Sequence, residues 1–266
     1  LQRFEKNVLR EKTVQVALAV ETLLPATSDT DVNTFGIVER IGVGKSNFSG
    51  SPKNRRHNIT VGAKAVDGIL IAPNEEFSLV DALGVIDDTS GYKPELVIKG
   101  NRTIPEFGGG LCQIGTTMFR AAMAAGLPIT ERRNHSYAVS YYYENHVPGT
   151  DATIYGPHPD FRFVNDTGNY ILIQTRIEKD DLIFEFWGSS DGRTAKLTVP
   201  TLTNIQKPPS TQIIETEDLP PGQKKCTESA HDGMTTVFTY SVTMPDGTIR
   251  EQVFRSSYRP WQAVCL

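Results

Sequence analysis

One cysteine in this sequence stands where a reactive thiol would be expected. Three glycines, Gly108, Gly109 and Gly110, run into Cys112, which opens a segment with the apolar spacing of a helix. A glycine run lets the backbone take φ values closed to other residues and lets a bound group approach the main chain closely. The free N–H groups and the positive dipole end at a helix start favour a thiolate over a thiol. We therefore predict that Cys112 is a nucleophile and that the glycines line its approach.

A thiolate nucleophile needs a base, and the base needs a group that orients it. His135 and Asp151 stand at the starts of two later stretches, "SYAVSYYY" and "DATIYG", which both resemble strands. We predict that His135 is the base and that Asp151, on a neighbouring strand, orients it. The oxyanion would be held by N–H groups from Gly110 to Gln113, assisted by the Gln113 side chain. The order of these residues is similar to that in papain-like, NlpC-type and transglutaminase-like enzymes.

Other interpretations of the same residues stay open. A glycine run before a helix also occurs in ordinary packing, and most cysteines at helix starts are inert. Cys112, His135 and Asp151 could form a zinc site, although the histidine spacings match no compact metal motif, and we predict no bound metal or cofactor. Asp151 could equally fasten a turn, and the pair Arg132-Arg133 is either a carboxylate clamp or a solvated pair.

The composition is that of a folded protein and not that of a nucleic-acid-binding protein. The chain has 266 residues, of which 38% are hydrophobic and 22% charged, which is enough for an ordinary packed core. A net charge of −4 without long basic runs excludes broad attraction to phosphate backbones. No stretch approaches about 18 consecutive apolar residues, so no transmembrane segment is predicted in this chain. Because the sequence begins at Leu1, an upstream signal peptide or anchor stays open.

The three cysteines fall into a pair and a single residue. Cys226 and Cys265 lie near the two ends of one C-terminal segment, whereas Cys112 stands apart. If the protein is exported, the natural pairing is Cys226 with Cys265, which would stabilise a small domain by about 3 to 4 kcal/mol in the chain-entropy model. Cys112 would then be the free thiol. In a cytosolic protein all three would instead be reduced and buried.

The apolar patterns predict an α+β fold with helices packed on a mostly antiparallel sheet, for which a papain-like or transglutaminase-like arrangement is one option. A helix is expected from Asn54, with Ile59, Ala63 and Val66 on its buried face and Gly68 after its end. The tyrosine run 141–143 is most simply part of a strand, although exposed tyrosines could stack on a sugar ring.

Strands and hairpins are predicted where apolar residues alternate between turn signals. Single strands are expected in "TVQVALAV", "ILIAP" and "FRFVND". Hairpins are expected in "ELVIKGNRTIP", in the pair "YILIQTRI" and "LIFEFWG", and near the C-terminus around Pro245-Asp246-Gly247.

Changes of composition divide the chain into three predicted parts. Residues 1–33 would be the remnant of an upstream domain or a linker, and residues 34–190 would form the main domain. A segment rich in proline and charge then leads into a small all-β module over residues 191–266.

Taken together, the motifs of the main domain resemble the VanW family of bacterial exported proteins. The similarity runs from Phe48 to Ser189. The motifs that carry it are His57-Asn58, Phe77-Ser78, the "GGGLCQ" of Gly108 to Gln113, His135-Ser136 and Asp151-Ala152. The C-terminal module resembles the five-glycine domain attached to such wall proteins, which is suspected of binding amino sugars. It departs from that pattern because it has few glycines, and the Cys226 and Cys265 pair would replace part of its packing.

The resemblance implies an extracytoplasmic, cell-wall-associated protein that is secreted or anchored in the cell envelope. With Cys112 as nucleophile, it would be a cysteine-dependent amidase, peptidase or acyl transferase acting on peptidoglycan or a related peptide. His57, Asn58 and Arg133 would join the three glycines in binding the substrate, and His57 and Asn58 would be alternates to Asp151. The alternative is a non-catalytic module that holds a glycan or stem peptide in the glycine-lined groove.

Overall fold

A four-stranded antiparallel sheet forms the centre of the protein. The computed structural model describes residues 34–99, 102–144 and 147–266. The strands of the sheet are β1 (Glu39–Asn47), β2 (Leu70–Ile71), β8 (Ile171–Glu178) and β9 (Asp181–Gly188), and they lie in the order β1–β9–β8–β2. The predicted hairpin of β8 and β9 is confirmed, in register from Leu172 opposite Trp187 to Glu178 opposite Asp181. The predicted strand at Thr13–Val20 lies outside the described residues.

Two long helices pack against this sheet. Helix α1 (Lys53–Val66) confirms the helix predicted from Asn54 and buries Ile59, Ala63 and Val66 as expected. Helix α3 (Cys112–Ala124) contacts β1 and β9 through a face of small residues. The short α2 (Leu79–Leu83) lies between them in the chain.

Two glycines of β1 allow helix α3 to lie against the strand. A Cβ on Gly44 would be 2.0 Å from the carbonyl oxygen of Thr117, and one on Gly42 would be 2.7 Å from that of Ala121. Real Cβ atoms do not come this close to a carbonyl, so the sheet and the helix meet backbone to backbone. The helix that carries Cys112 is therefore held rigidly.

Smaller sheets surround this core. One has the order β3 (Glu76–Ser78), β7 (Arg162–Val164), β6 (Ile129–Glu131). A separate two-stranded ribbon consists of β4 (Pro94–Lys99) and β5 (Arg102–Phe107), which confirms the predicted strands, while the turn itself lies outside the described residues. Strand β5 leads directly into the glycine run.

The C-terminal strands form two further sheets. One consists of β10 (Thr194–Leu197), β14 (Gly233–Thr243) and β11 (Thr201–Gln206), with β15 (Ile249–Tyr258) paired to β14. The other has the order β12 (Gln212–Ile213), β16 (Val264–Cys265), β13 (Cys226–Glu228). The predicted hairpin is confirmed as β14–β15, and the predicted disulfide joins Cys226 to Cys265 and leaves Cys112 free.

The C-terminal hairpin shares its apolar core with the main domain. The ring of Phe254 lies 5.2 Å from that of Phe119 on α3, and Phe238 stacks on Phe254 at the same distance. Residues Phe35–Leu266 accordingly cluster as one compact unit. The division at residue 190 remains a prediction, and residues 1–33 lie outside the described part of the chain.

Two of the predicted strands are wrong. In "SYAVSYYY" the structure has a 3-10 turn at Ser140–Tyr142, and residues 151–156 form no strand. The physical reason is that isolated hydrogen bonds between loops, some of them from side chains, hold these two segments, and no ladder of β-sheet hydrogen bonds forms. The Asp151 carboxylate accepts the N–H of His135 at 2.8 Å, and Thr153 N–H donates to the carbonyl of Arg133 at 2.8 Å.

The fold class is α+β and rich in strands, as predicted. The papain-like or transglutaminase-like arrangement remains a prediction. Within the residues that the structure describes, no helix has the length and apolar character needed to cross a bilayer.

Candidate active site

The glycine run forms a tight loop whose shape depends on glycine at each position. Gly108 and Gly110 have φ of 79° and 112°, which side chains rarely allow. At Gly109 there is no room for a side chain, because a Cβ there would lie 2.6 Å from the carbonyl oxygen of Glu95. Asn58 ties the loop to the β4–β5 ribbon, since its amide donates to the carbonyls of Gly109 at 3.0 Å and Lys93 at 2.9 Å.

The loop leaves several main-chain donors unpaired beside Cys112. The N–H of Leu111 donates to Gly108, and that of Gln113 donates to Gly110 at 2.9 Å. Within the described residues, the N–H groups of Gly109, Gly110 and Cys112 make no hydrogen bond. The predicted set of donors is therefore reduced, because the Gln113 N–H is already used.

Cys112 is half-buried at the first position of α3. Its Sγ lies 3.4 Å from the hydroxyl oxygen of Thr153 and 3.6 Å from the carbonyl oxygen of Ile154. His135 also lies close enough to the thiol for its imidazole to influence the pKa of Cys112. The sulfur is thus surrounded by groups that can donate to a thiolate or accept from a thiol.

His135 and Asp151 lie side by side, as the sequence predicts, although loops and not strands carry them. The Nδ1 of His135 is 2.6 Å from Oδ2 of Asp151, and both residues are buried. A carboxylate at this distance favours the tautomer with its proton on Nδ1, which leaves Nε2 for the sulfur of Cys112. Tyr142 fixes the imidazole plane, because the two rings stack with centroids 4.7 Å apart.

Cys112, His135 and Asp151 shift one another's pKa values toward the charged forms. Burial raises the pKa of the Cys112 thiol, but the hydrogen bond and charge of His135 outweigh it and lower the pKa from 9.0 to about 7. Burial lowers the pKa of His135, but hydrogen bonds to Asp151 and Cys112 raise it from 6.5 to about 9. Burial also raises the pKa of Asp151, yet His135 and Arg132 hold it below its ordinary range. Between about 7 and 9 the pair is therefore thiolate and imidazolium.

Three side chains hold Asp151 in place, of which the sequence suggests only Arg132, as one member of a carboxylate clamp. Arg132 is buried, and its guanidinium donates to the Asp151 carbonyl at 2.7 Å and to Oδ1 at 3.3 Å. The hydroxyl of Tyr258 on β15 donates to the same Oδ1. Ser256, also on β15, accepts from Arg132 at 2.9 Å. No local pattern signals a role for Tyr258 or Ser256, since the chain separates them from Asp151 by more than a hundred residues.

The other predicted residues lie elsewhere around the loop. The Gln113 side chain is fully buried, where its amide donates to Ser46 at 2.6 Å and accepts from Arg55 at 2.8 Å. His57 contacts the carbonyl of Gly91 at 2.8 Å through Nε2. Arg133 exposes its side chain, and its carbonyl accepts from Thr153. Among the described residues, no group of three acidic, histidine or cysteine side chains is arranged for a metal ion.

Comparison with known proteins shows that the candidate site lies inside the part of the chain that matches one protein family. The family described as "VanW like protein" matches residues 54–187, which contain Cys112, His135 and Asp151. The Bacillus subtilis (strain 168) protein YoaR is 36% identical over 161 residues, which are 60% of this chain and 52% of that protein. The vancomycin B-type resistance protein VanW of Enterococcus faecalis is 28% identical over 134 residues, 49% of this chain and 48% of that protein. The matched part of this chain spans about half the length of these relatives.

Proposed function

This chain belongs to the VanW-like protein family, and we propose that it is a cysteine-dependent amidase, peptidase or acyl transferase. The observation that carries the proposal is the position of Cys112 at the start of α3, beside a buried His135 whose Nδ1 lies 2.6 Å from Oδ2 of Asp151. In this arrangement the pKa of the thiol falls to about 7 and that of the imidazole rises to about 9. Because the thiol pKa lies below that of the imidazole, the proton resides on His135 near neutral pH. The sulfur is then a thiolate, which is the reactive form of a cysteine nucleophile.

The reaction begins with attack of the Cys112 thiolate on an amide carbonyl carbon of the substrate. As the C–S bond forms, the carbonyl oxygen becomes an oxyanion, which the unpaired N–H groups of Cys112 and Gly110 can hold. The imidazolium of His135 gives its Nε2 proton to the amine nitrogen as the C–N bond breaks. Asp151 keeps the imidazole oriented throughout, and the products are a free amine and a thioester on Cys112.

The second half of the reaction releases the acyl group. His135, now neutral, removes a proton from an incoming water molecule or amine, whose oxygen or nitrogen attacks the thioester carbon. The C–S bond breaks, and the thiolate and imidazolium pair is restored. Water gives hydrolysis, whereas an amine gives acyl transfer.

The substrate that we propose is peptidoglycan or a related cell-wall peptide outside the cytoplasm. The Enterococcus faecalis relative is named as a vancomycin B-type resistance protein, and the resemblance to its family implies a cell-wall substrate. The disulfide between Cys226 and Cys265 supports the location, since disulfides persist mainly in oxidising compartments.

A digest of peptidoglycan into soluble muropeptides tests this function. Incubation with the protein should produce new amine groups and shortened peptides by liquid chromatography and mass spectrometry, while the Cys112→Ser variant should leave the digest unchanged. An unchanged digest together with a Cys112 thiol that reacts no faster than free cysteine would overturn the proposal. That result would favour a non-catalytic module that binds a glycan or stem peptide, for which the exposed aromatic side chains of Phe107 and Tyr155 are suited.

A further inference from the structure

Strand β5 has one edge that no other strand covers. Among the described residues it pairs with β4 alone, so no strand lies along its opposite edge. In an antiparallel ladder, alternate residues turn their main-chain groups toward the partner strand and away from it. The N–H of Gly108 donates to Lys93 across the ribbon, and Phe107 lies opposite Pro94 one position earlier. Thr103, Pro105 and Phe107 therefore turn their main-chain groups toward the free edge.

The far end of this edge is closed. The carboxylate of Glu228 accepts the N–H of Thr103 at 2.7 Å and its hydroxyl at 2.8 Å. Pro105 has no N–H to offer. Natural proteins commonly protect sheet edges with charged side chains and prolines in this way.

The near end, beside the candidate nucleophile, is open. Within the described residues, the N–H and C=O of Phe107 and the C=O of Pro105 have no hydrogen-bond partner. Phe107 is 41% exposed, so solvent reaches this residue. If edge protection were the whole explanation, this end would be closed as well.

The open groups continue into the loop of the candidate active site. Phe107 immediately precedes Gly108, and the unpaired N–H groups of Gly109, Gly110 and Cys112 follow. Strand β5 thus ends at Phe107 and is joined to Cys112 by the glycine loop.

An extended peptide matches this pattern, because its own N–H and C=O groups repeat every two residues, at about 6.8 Å, on one side. We propose that the open edge of β5, at Pro105 and Phe107, binds the substrate's peptide as an added strand and directs its scissile bond to Cys112. This inference rests on the proposed function, and it names a peptide and not a glycan as the part of the substrate that is recognised.

Alkylation rates of Cys112 test the inference. The probes are acetyl-Ala-Ala-Ala chloromethyl ketone, the same compound with its internal amides N-methylated, and iodoacetamide. In each case the thiolate displaces the halide and forms a thioether, which mass spectrometry locates on Cys112. We expect the unmethylated tripeptide to react at least about tenfold faster than its methylated form, since methylation removes donors that the edge would bind.

The matched variants are Phe107→Pro and Leu96→Pro. Both remove one outward N–H from the ribbon. Leu96 lies on the outer edge of β4 and is 56% exposed, and its N–H donates to the carboxylate of Glu95 at 2.9 Å, so it is not available to a peptide. For Phe107→Pro, the rate of the tripeptide divided by that of iodoacetamide should fall about tenfold. For Leu96→Pro, this ratio should keep its wild-type value.

Equal rates for the methylated and unmethylated tripeptides on the wild-type protein would overturn the inference, and so would an equal fall of the ratio in both variants. The proposed function fails separately. In that case iodoacetamide itself reacts with Cys112 no faster than with free cysteine, whatever the tripeptides do.

Discussion

The hydroxyl of Tyr258 donates a hydrogen bond to Oδ1 of Asp151, and so the C-terminal hairpin contacts the acid of the candidate triad directly. Two further hydrogen bonds join the same two parts of the chain. The N–H of Arg259 donates to the carbonyl of Ser136 at 2.7 Å, and the Asn134 amide donates to the carbonyl of Ser257 at 2.9 Å. Strand β15 therefore supports the loop that carries His135 as well as Asp151.

The contact between Tyr258 and Asp151 predicts a specific effect of Tyr258→Phe. Burial and the negative charge of Asp151 raise the pKa of Tyr258, so its hydroxyl keeps its proton and donates. Without this donor, Oδ1 can turn toward Arg132, and the carboxylate loses alignment with His135. We expect the pKa of Cys112 to rise from about 7 toward its ordinary value, as measured by the pH dependence of alkylation with iodoacetamide.

Tyr240→Phe is the matched control for this prediction. Tyr240 is also a buried tyrosine of the C-terminal sheet, but its hydroxyl donates to the carbonyl of Leu127 at 3.0 Å, away from the triad. Each variant should lose about 1 to 3 kcal/mol of unfolding free energy, because each removes a buried hydrogen bond. If both variants shift the alkylation profile equally, Tyr258 has no particular role in positioning Asp151.

The ion pair of Cys112 and His135 predicts the pH dependence of the reaction. The pKa of Cys112 is lowered to about 7, so the thiolate forms and alkylation accelerates as the pH rises through that value. The pKa of His135 is raised to about 9, so the proton needed by the leaving amine is lost above that value. Turnover of a peptide amide should therefore be bell-shaped with limbs near 7 and 9.

Alkylation and turnover should differ in this respect, since alkylation needs no proton from His135. Its rate should rise through pH 7 and stay high on the alkaline side. A single midpoint at or above about 8.5, the value of an unperturbed thiol, would contradict the ion pair.

Replacement of His135 by asparagine should raise the pKa of the Cys112 thiol to the value of an ordinary cysteine or above it. Burial raises the pKa of Cys112, and His135 provides the main opposing influence. In His135→Asn the thiol pKa should rise above 7, so the rate of alkylation at pH 7 should fall by about tenfold or more. The control is His158→Asn, at an exposed histidine paired with Glu131. A thiol in His135→Asn that titrates as in the wild type would show that the imidazole does not act on it.

Much of the fold follows from local sequence patterns. Helix α1 and the β8–β9 and β14–β15 hairpins match the sequence predictions because each has a regular apolar period and clear turn residues. The segment after Glu131 does not match its prediction as a strand. Its tyrosines have the pattern of a strand, but Tyr142 stacks on His135, and the Arg55 guanidinium lies 4.1 Å from the Tyr141 ring. Side-chain contacts, one of them distant in sequence, therefore determine the backbone conformation here.

The candidate site divides in the same way. The glycine run, Cys112, His135 and Asp151 can be selected from the sequence because their residue types and order suit one kind of chemistry, and the structure brings them together. The residues that hold them in place cannot be selected in this way. Tyr258 and Thr153 belong to no motif, and they matter only because the fold brings them next to Asp151 and Cys112. Gln113 is a residue that the sequence suggests wrongly. It follows the nucleophile directly in sequence, but its side-chain amide is buried in the core and hydrogen-bonded to Ser46.

The loop before Cys112 predicts that Gly109→Ala damages both stability and reactivity. Gly109 has no positive φ, so the added methyl group acts through space alone, at 2.6 Å from the Glu95 carbonyl oxygen. The loop must move away from the β4–β5 ribbon, which also breaks the bond from Asn58 to the Gly109 carbonyl. We expect a loss of about 1 to 3 kcal/mol in urea unfolding, as for other overpacked sites. Alkylation of Cys112 should slow in the fraction that remains folded, because the start of α3 shifts relative to His135. A variant with wild-type stability and alkylation rate would show that the loop adapts freely, and the unpaired N–H groups beside Cys112 would then have no fixed position from which to hold an oxyanion.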